Sequence, residues 1–321
     1  MLLAAVLMTA ALGDFPLESG EVLKDLKLTY RTYGALNLRR DNAVVFPTWF
    51  NGTTAQLEAY LTGADPLVDS SQFFIVAVDA IGNGFSSSPS NAAPSQRGKA
   101  FPAFTIGDMV RAQHLLLSTV FNLGRLHAVI GISMGGMQAF EWMARYPESI
   151  SKGVSIVGTP RMSGADFALW IQMGAEQAEK ASKTRRGGHG GAWPDLLGPL
   201  LRLGTGGFFV PRPENALAQF HALRRHDSAA RFGGIAGLAN NVRADVLIFV
   251  AENDQAVAEA APAEFARLHG ARFIRLTGPG GHNAYKTERQ LIARETAAFL
   301  LQPPQQRATY RRPRLLPPGP R

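Results

Sequence analysis

Gly131-Ile132-Ser133-Met134-Gly135 follows an apolar run over 126–130 and opens a helical pattern over 136–145. A G-x-S-x-G pattern between a strand and a helix is typical of a nucleophile elbow, a sharp turn that presents the serine hydroxyl at the end of a sheet. The tight turn requires small residues beside the serine, and glycine has no Cβ to clash. A chance match in a glycine-rich chain is the alternative, against which the flanking strand and helix argue. We therefore interpret Ser133 as a nucleophile.

Short apolar runs alternate with helical patterns along most of the chain. Period-two alternation predicts a half-buried strand over 26–32, and continuous apolar runs at 43–46 and 73–78 predict strands buried on both faces, as in a parallel sheet. Further strands are predicted over 126–130, 153–157, 246–250 and 272–276. Helices are predicted over 105–120, where Thr105 and Asp108 resemble a capping box, and over 136–145, 262–268 and 288–301. This alternation indicates an α/β fold with a mainly parallel central sheet flanked by helices.

One region interrupts the alternation. Over 161–241 no buried strand is evident, helical patterns occupy 165–181 and 214–225, and a glycine-rich linker lies at 187–191. We interpret 161–241 as a mostly helical cap, inserted into a core formed by 14–160 and 242–302. Such a cap would cover the site and select the substrate. Residues 303–321, rich in proline and arginine, are predicted to be disordered.

Composition excludes several classes of function. The chain carries a formal net charge of +8 but no basic stripe interleaved with aromatic residues, so we expect no nucleic-acid partner. It has no cysteine, which excludes disulfides and thiolate catalysis. Phosphate-loop and H-E-x-x-H motifs are absent, and Ser87 replaces the third glycine of a G-x-G-x-x-G pattern begun by Gly82 and Gly84. We therefore expect neither a cofactor nor a metal.

The N-terminal residues 1–13 form a candidate signal peptide. They are almost wholly apolar and end in Ala11-Leu12-Gly13, a small-x-small cleavage pattern, although a basic n-region is missing. The alternatives are a buried N-terminal segment or a wrongly assigned start. We expect a secreted or periplasmic protein if this segment is a signal peptide, and otherwise a cytoplasmic one. The apolar stretch is too short to span a bilayer, so stable membrane insertion is not expected.

A serine nucleophile needs a base and an acid that orients the base. Asp254 and His282 each follow an apolar strand, which brings them to the sheet edge where the elbow lies, in the chain order serine, acid, histidine. Glu252 is a rival acid, whereas Asp245 precedes its strand and faces the opposite edge. Two glycines before His282 allow its loop to approach closely. The predicted catalytic residues are Ser133, Asp254 and His282.

An oxyanion intermediate needs two preorganised donors. One is expected from the backbone N–H of Met134, which follows the nucleophile. The other is expected from the early loop, residues 47–52, which follows the predicted strand 43–46. We choose the Phe50 amide, with Trp49 as a close rival.

Several motifs besides the elbow resemble the homoserine O-acetyltransferase-like family of the α/β-hydrolase fold. They are Leu17-Glu18-Ser19-Gly20-Glu21, Tyr30-Arg31-Thr32-Tyr33-Gly34 with Leu36-Asn37, Asp41-Asn42-Ala43-Val44, Phe101-Pro102 with Thr105-Ile106 and Asp108-Met109-Val110, Gly131 to Met137 with Glu141-Trp142, and Gly281-His282. The resemblance extends over about 15–301. It implies a triad of Ser133, Asp254 and His282, an acyl-serine intermediate and often a homodimer.

Two departures from the family bear on the substrate. The family usually has an aspartate directly after the histidine, thought to hold the homoserine amine; here Asn283 carries no charge for an ammonium group. The early loop usually begins with histidine and carries alanine and leucine, whereas Thr48-Trp49-Phe50 is more aromatic. We expect Trp49 and Asn283 to contact substrate.

These features favour hydrolysis of a small ester or thioester. The first alternative is O-acyl transfer from acyl-CoA to a hydroxyl group, and the second is a non-catalytic binding protein on the same fold.

Overall fold

The structure, a computed structural model, describes residues 5–168 and 212–303. The strands of this part of the chain are β1 (Met8–Pro16), β2 (Val22–Tyr33), β3 (Ala43–Pro47), β4 (Phe74–Val78), β5 (Leu126–Ile132), β6 (Ile150–Ile156), β7 (Asp245–Ala251) and β8 (Arg272–Leu276). They form one sheet in the order β1-β2-β4-β3-β5-β6-β7-β8. β2 is antiparallel to both of its neighbours, and all other neighbouring strands are parallel. The predicted α/β fold with a mainly parallel sheet is confirmed.

Both faces of the sheet are covered. Every residue of β3 and β4 is buried, as the continuous apolar runs predicted. Alternate side chains contribute to two separate hydrophobic cores: Val45 and Val76 belong to one, and Val44 and Ile75 to the other. Because successive side chains of a strand point to opposite faces, one apolar run supplies both cores.

β1 is an edge strand that the sequence analysis did not predict. Its backbone pairs with β2 from Met8↔Tyr30 to Pro16↔Val22, with irregularities around Gly13. The candidate signal peptide 1–13 therefore includes residues that pair with the sheet, and its removal would leave only the last part of β1. Its processing and the location of the protein stay predictions.

The helices flank the sheet. They are α1 (Thr54–Leu61), α2 (Ile106–Val120), α3 (Met134–Arg145), α4 (Pro213–Arg224), α5 (Ile235–Asn241), α6 (Ala260–His269), α7 (Ala284–Thr287) and α8 (Arg289–Leu301). α2 begins with the predicted capping box between Thr105 and Asp108. α1 was not predicted, although Thr53 and Gln56 form a second capping box at its start. Among the described residues, no helix combines the length and apolarity of a membrane span.

Part of the predicted cap can be compared with the structure. Its residues 212–241 include α4, close to the predicted helix 214–225, and α5. Residues 169–211, with the glycine-rich linker and most of the predicted helix 165–181, lie outside the described residues, as does 304–321 of the predicted tail. The described part is joined to the core through His226, whose imidazole is hydrogen-bonded to the carbonyl oxygen of Thr159 at 3.0 Å.

The buried His226 makes a testable contribution to the pH dependence of stability. Burial lowers the pKa of His226 below its ordinary value of 6.5. Just below pH 6.5 the imidazole is therefore protonated in the unfolded chain but still neutral in the folded chain. Stability from this group is therefore complete above pH 6.5 and is lost as the pH falls below it, by up to about 1.4 kcal/mol per pH unit.

We expect His226→Gln, which keeps an N–H donor for Thr159, to flatten the fall in unfolding free energy between about pH 6.5 and 5. Urea denaturation across this range measures the slope. Other histidines with a lowered pKa, such as His114 and His127, contribute equally to parent and variant. Equal slopes for the two proteins would contradict the prediction.

Candidate active site

The backbone at Ser133 has the geometry of a nucleophile elbow. Ser133 lies between β5 and α3 with φ 55° and ψ −121°, a region that a residue with a side chain rarely occupies. Its N–H donates to the carbonyl oxygen of Ile156 in β6 at 2.8 Å. The strained residue is therefore held by the neighbouring strand, as expected where strain serves a site.

The glycines around Ser133 are required by close backbone packing. A Cβ on Gly131 would lie 2.0 Å from the carbonyl carbon and oxygen of Gly135. A Cβ on Gly135 would lie 2.7 Å from the carbonyl oxygen of Pro47. These approaches confirm the predicted need for small residues, and they bring the elbow against the start of the early loop.

A hydrogen-bonded chain of side chains starts at Ser133. Its Oγ lies 2.8 Å from Nε2 of His282, and Nδ1 of the same ring lies 2.9 Å and 3.1 Å from the two Asp254 carboxylate oxygens. The Asp254 side chain is 5% exposed, and Oδ1 also accepts backbone N–H bonds from Ala256 and Val257. An imidazole that donates from Nδ1 leaves the Nε2 lone pair to accept the serine proton.

The geometry also separates Asp254 from its rivals. Glu252 is exposed, whereas Asp245 begins β7 and lies 3.7 Å from Lys152 Nζ. The loop of His282 approaches the acid loop closely, because a Cβ on Gly281 would lie 2.7 Å from the carbonyl oxygen of Asn253. Ser133, Asp254 and His282 are thus brought together as the chain order predicted.

The early loop is fastened by buried polar side chains. Asp79, directly after β4, accepts hydrogen bonds from the Thr54 backbone and hydroxyl and from Asn83. Asn83 in turn donates to the carbonyl oxygen of Gly52 at 3.0 Å. Burial raises the pKa of the Asp79 carboxyl above its ordinary value, and these donors offset only part of that rise.

Gln138 links the early loop to α3, the helix that follows Ser133. Its Nε2 donates to the carbonyl oxygens of Thr48 at 3.0 Å and Met134 at 3.2 Å, and its Oε1 accepts from Gln113 at 2.6 Å. The two segments predicted to supply the oxyanion donors therefore share one buried amide. The sequence gives no sign of a role for Gln138, since its position within α3 carries no motif. Asp79 was not predicted either, although its position at the end of a predicted strand was a usable signal.

Two amides of the early loop take part in hydrogen bonds. The Asn51 N–H donates to Oε1 of Gln219, and the Gly52 N–H donates to the carbonyl oxygen of Trp49. The choice of the Phe50 and Met134 amides as oxyanion donors stays a prediction.

The predicted substrate contacts flank this region. The Trp49 indole packs against Tyr60, with ring centroids 5.8 Å apart, and against Tyr285 at 6.4 Å. Asn283 follows His282 in a short 3₁₀ turn, and within the described residues its side chain makes no hydrogen bond. In the same part of the chain, no group of three histidine, aspartate or glutamate side chains could hold a metal ion.

Comparison with known proteins agrees with this architecture. The family described as alpha/beta hydrolase fold matches residues 44–189. An ethyl acetate hydrolase from Pseudomonas veronii is 41% identical over 156 residues, which cover 49% of this chain and 45% of that protein. A homoserine O-acetyltransferase from Geotalea daltonii is 36% identical over 172 residues, which cover 49% of this chain and 47% of that protein. The chain thus spans about half the length of the curated relatives it matches.

Solved structures match over more of the chain. An acetylester hydrolase from Corynebacterium glutamicum, 26% identical, superposes with a TM-score of 0.77 over 92% of this chain and 95% of its own. The fold is therefore the α/β-hydrolase fold. In sequence the chain is similar both to homoserine O-acetyltransferases and to esterases, in agreement with the resemblance seen in its motifs.

The elbow packing leads to a stability prediction. Gly131→Ala should lower the free energy of unfolding by about 3 kcal/mol or more, because the new methyl group meets backbone that cannot rotate away. Gly124→Ala is the matched control, since a Cβ there has nothing within 4 Å. Chemical denaturation of both variants measures the difference. A Gly131→Ala protein as stable as Gly124→Ala would show that the elbow tolerates a side chain.

Proposed function

We propose that this protein is a serine-dependent acyl-transfer enzyme that hydrolyses small esters or thioesters through an acyl-serine intermediate on Ser133. The observation that carries the proposal is the hydrogen-bonded chain from Ser133 Oγ through His282 to Asp254, with distances of 2.8 Å and 2.9 Å. The base lies within hydrogen-bond reach of both the nucleophile and the orienting acid, which is the arrangement that activates a serine.

Acylation uses the imidazole as base and then as acid. His282 Nε2 takes the proton as Ser133 Oγ attacks the substrate carbonyl, and the carbonyl oxygen becomes an oxyanion. The amides of Phe50 and Met134 donate to that oxyanion. Collapse of the intermediate breaks the bond to the alcohol or thiol, which leaves with the proton from His282. Asp254 stabilises the imidazolium without taking its proton.

Deacylation repeats these steps with water. His282 removes a proton from water as its oxygen attacks the acyl-serine carbonyl, and Ser133 leaves with that proton. The products are the carboxylic acid and the regenerated serine. Substituting an alcohol for water would give a new ester by the same route.

Two observations favour water as the acceptor. Asn283 supplies no charge for an amino-acid ammonium group. The relative with 41% identity is an ethyl acetate hydrolase, compared with 36% for the homoserine O-acetyltransferase. The aromatic side chains of Trp49, Tyr60 and Tyr285 suit an apolar acyl or alkyl group.

The second candidate function is O-acyl transfer from acyl-CoA to a hydroxyl group. Its support is the similarity to homoserine O-acetyltransferases in both sequence and motifs. Transfer and hydrolysis share the acyl-serine, so they differ only in the acceptor.

Ser133→Ala should lower p-nitrophenyl acetate turnover by about 10⁴-fold or more, because the variant lacks the hydroxyl that forms the proposed acyl intermediate. Ser155→Ala is the matched control: Ser155 is a buried serine beside Gly136 whose hydroxyl has no hydrogen-bond partner among the described residues. The control should keep parental turnover. A fluorophosphonate should add to Ser133 in the parent and in the control, as mass spectrometry would show. Equal turnover in parent and Ser133→Ala would favour a non-catalytic binding protein.

The acceptor is tested by product partitioning. With p-nitrophenyl acetate and a series of added alcohols, we expect acetate as the main product at all but high alcohol concentrations. Acetyl-CoA with homoserine provides the parallel test of the second candidate. Almost complete conversion to acylated acceptor would overturn the hydrolase proposal and leave the acyl-serine chemistry intact.

A further inference from the structure

We propose that Gln219, on helix α4, is a positioning residue for the early loop, so that efficient acyl transfer requires α4 to be docked on the core. The inference rests on the proposed function, because the early loop matters through the oxyanion donor expected at Phe50. It assigns to the cap region a part in transition-state stabilisation besides covering the site.

The Gln219 side chain is completely buried and bridges two loops of the core. Its Oε1 accepts the Asn51 N–H at 2.9 Å, and its Nε2 donates to the carbonyl oxygen of Ile81 at 2.9 Å. The Asn51 N–H belongs to the peptide plane that follows Phe50. Because a peptide unit is planar, this hydrogen bond fixes the backbone on one side of the expected donor.

The early loop needs such a fastening. Asn51 has φ 56°, a left-handed conformation that asparagine adopts more readily than most residues but still at some cost in free energy. The Asn51 side chain is also buried, and neither Oδ1 nor Nδ2 of its amide has a hydrogen-bond partner among the described residues. Both features disfavour this loop conformation, so contacts from outside the loop must maintain it.

Three sets of contacts hold this loop, and they come from different parts of the chain. Two of them belong to the core next to the sheet: the contacts of Asp79 with Asn83, and those of Gln138. Gln219 belongs to the predicted cap region. If α4 left the core, the Asn51 amide would lose its acceptor while the other fastenings remained.

The glycines at 82 and 84, which complete no dinucleotide motif, allow α4 to approach closely. A Cβ on Gly82 would lie 2.8 Å from Cγ of Gln219, and one on Gly84 would lie 3.0 Å from Nδ2 of Asn215. Both glycines have positive φ. The close packing of Gly82 and Gly84 against α4 fixes the position of Gln219 relative to Asn51.

Asn215 supplies the matched control. It lies four residues before Gln219, and so on the same face of the helix, and it is also buried. Its side chain makes two hydrogen bonds to the core, to the backbone N–H and the hydroxyl of Ser90, and none to the early loop. Loss of either side chain weakens the docking of α4, but only loss of Gln219 releases Asn51.

The test compares Gln219→Met with Asn215→Leu, two substitutions of similar shape that remove the polar atoms. For p-nitrophenyl acetate we expect kcat of Gln219→Met to fall about tenfold or more, part of the 10²–10³-fold cost of losing an oxyanion donor. KM should change less than about twofold, because the contact acts in the transition state. Asn215→Leu should keep kcat near the parental value.

A second measurement reports on the oxyanion itself. Ser133 Oγ adds to the carbonyl carbon of a trifluoromethyl ketone while its proton passes to His282 Nε2, so that the former carbonyl oxygen becomes an anion. Its affinity should fall with kcat in Gln219→Met and not in Asn215→Leu. If Gln219→Met does not fold, Gln219→Asn replaces it; this variant keeps the amide but is one methylene too short to reach both loops, and it should show the same pattern in weaker form.

Equal kcat and equal inhibitor affinity in the Gln219 and Asn215 variants would overturn the inference, as would a change in KM alone. An active parent with unaffected Gln219 variants overturns only this inference. A parent without ester turnover and without label on Ser133 overturns the proposed function, and this inference with it.

Discussion

At Ser133 the main chain takes φ 55° and ψ −121°, a conformation that costs about 1–3 kcal/mol and persists only under constraint from its surroundings. The parallel sheet supplies that constraint, since the Ser133 amide is bound to β6 and Gly131 packs against Gly135 at a distance no side chain would permit. The hydroxyl consequently lies where the loops after β7 and β8 deliver Asp254 and His282. A change in the turn would move Ser133 Oγ away from His282.

Around this turn, buried amides and one carboxyl join segments that are distant in sequence. Asp79 holds the start of α1, Gln138 joins the early loop to α3, and Gln219 joins the same loop to α4. Buried polar groups cost free energy unless they are paired, so each of these side chains favours the one loop arrangement that satisfies it. In the proposed mechanism, chemistry at Ser133 is thereby coupled to the docking of α4 through the early loop.

Most of the sheet was predictable because a strand buried on both faces leaves a continuous apolar run, as in β3, β4 and β7. The edge strand β1 was not, because its apolar residues also fit a signal peptide and Gly13 interrupts the pairing. Ser133, Asp254 and His282 could be chosen by motif and chain order, and the hydrogen bonds between them agree with that choice. Gln138 and Gln219 could not, since a glutamine inside a helix has no distinguishing pattern.

The sequence by itself determined the α/β class, the elbow at Ser133 and the order of the acid and the histidine. These properties depend on local patterns: apolar periodicity, glycines in a tight turn, and polar residues at strand ends. Only the tertiary structure showed that Asp254 is hydrogen-bonded to His282 and revealed which side chains hold the early loop. Those outcomes depend on distances between residues as far apart in the chain as Asn51 and Gln219, which form once the sheet and helices have packed.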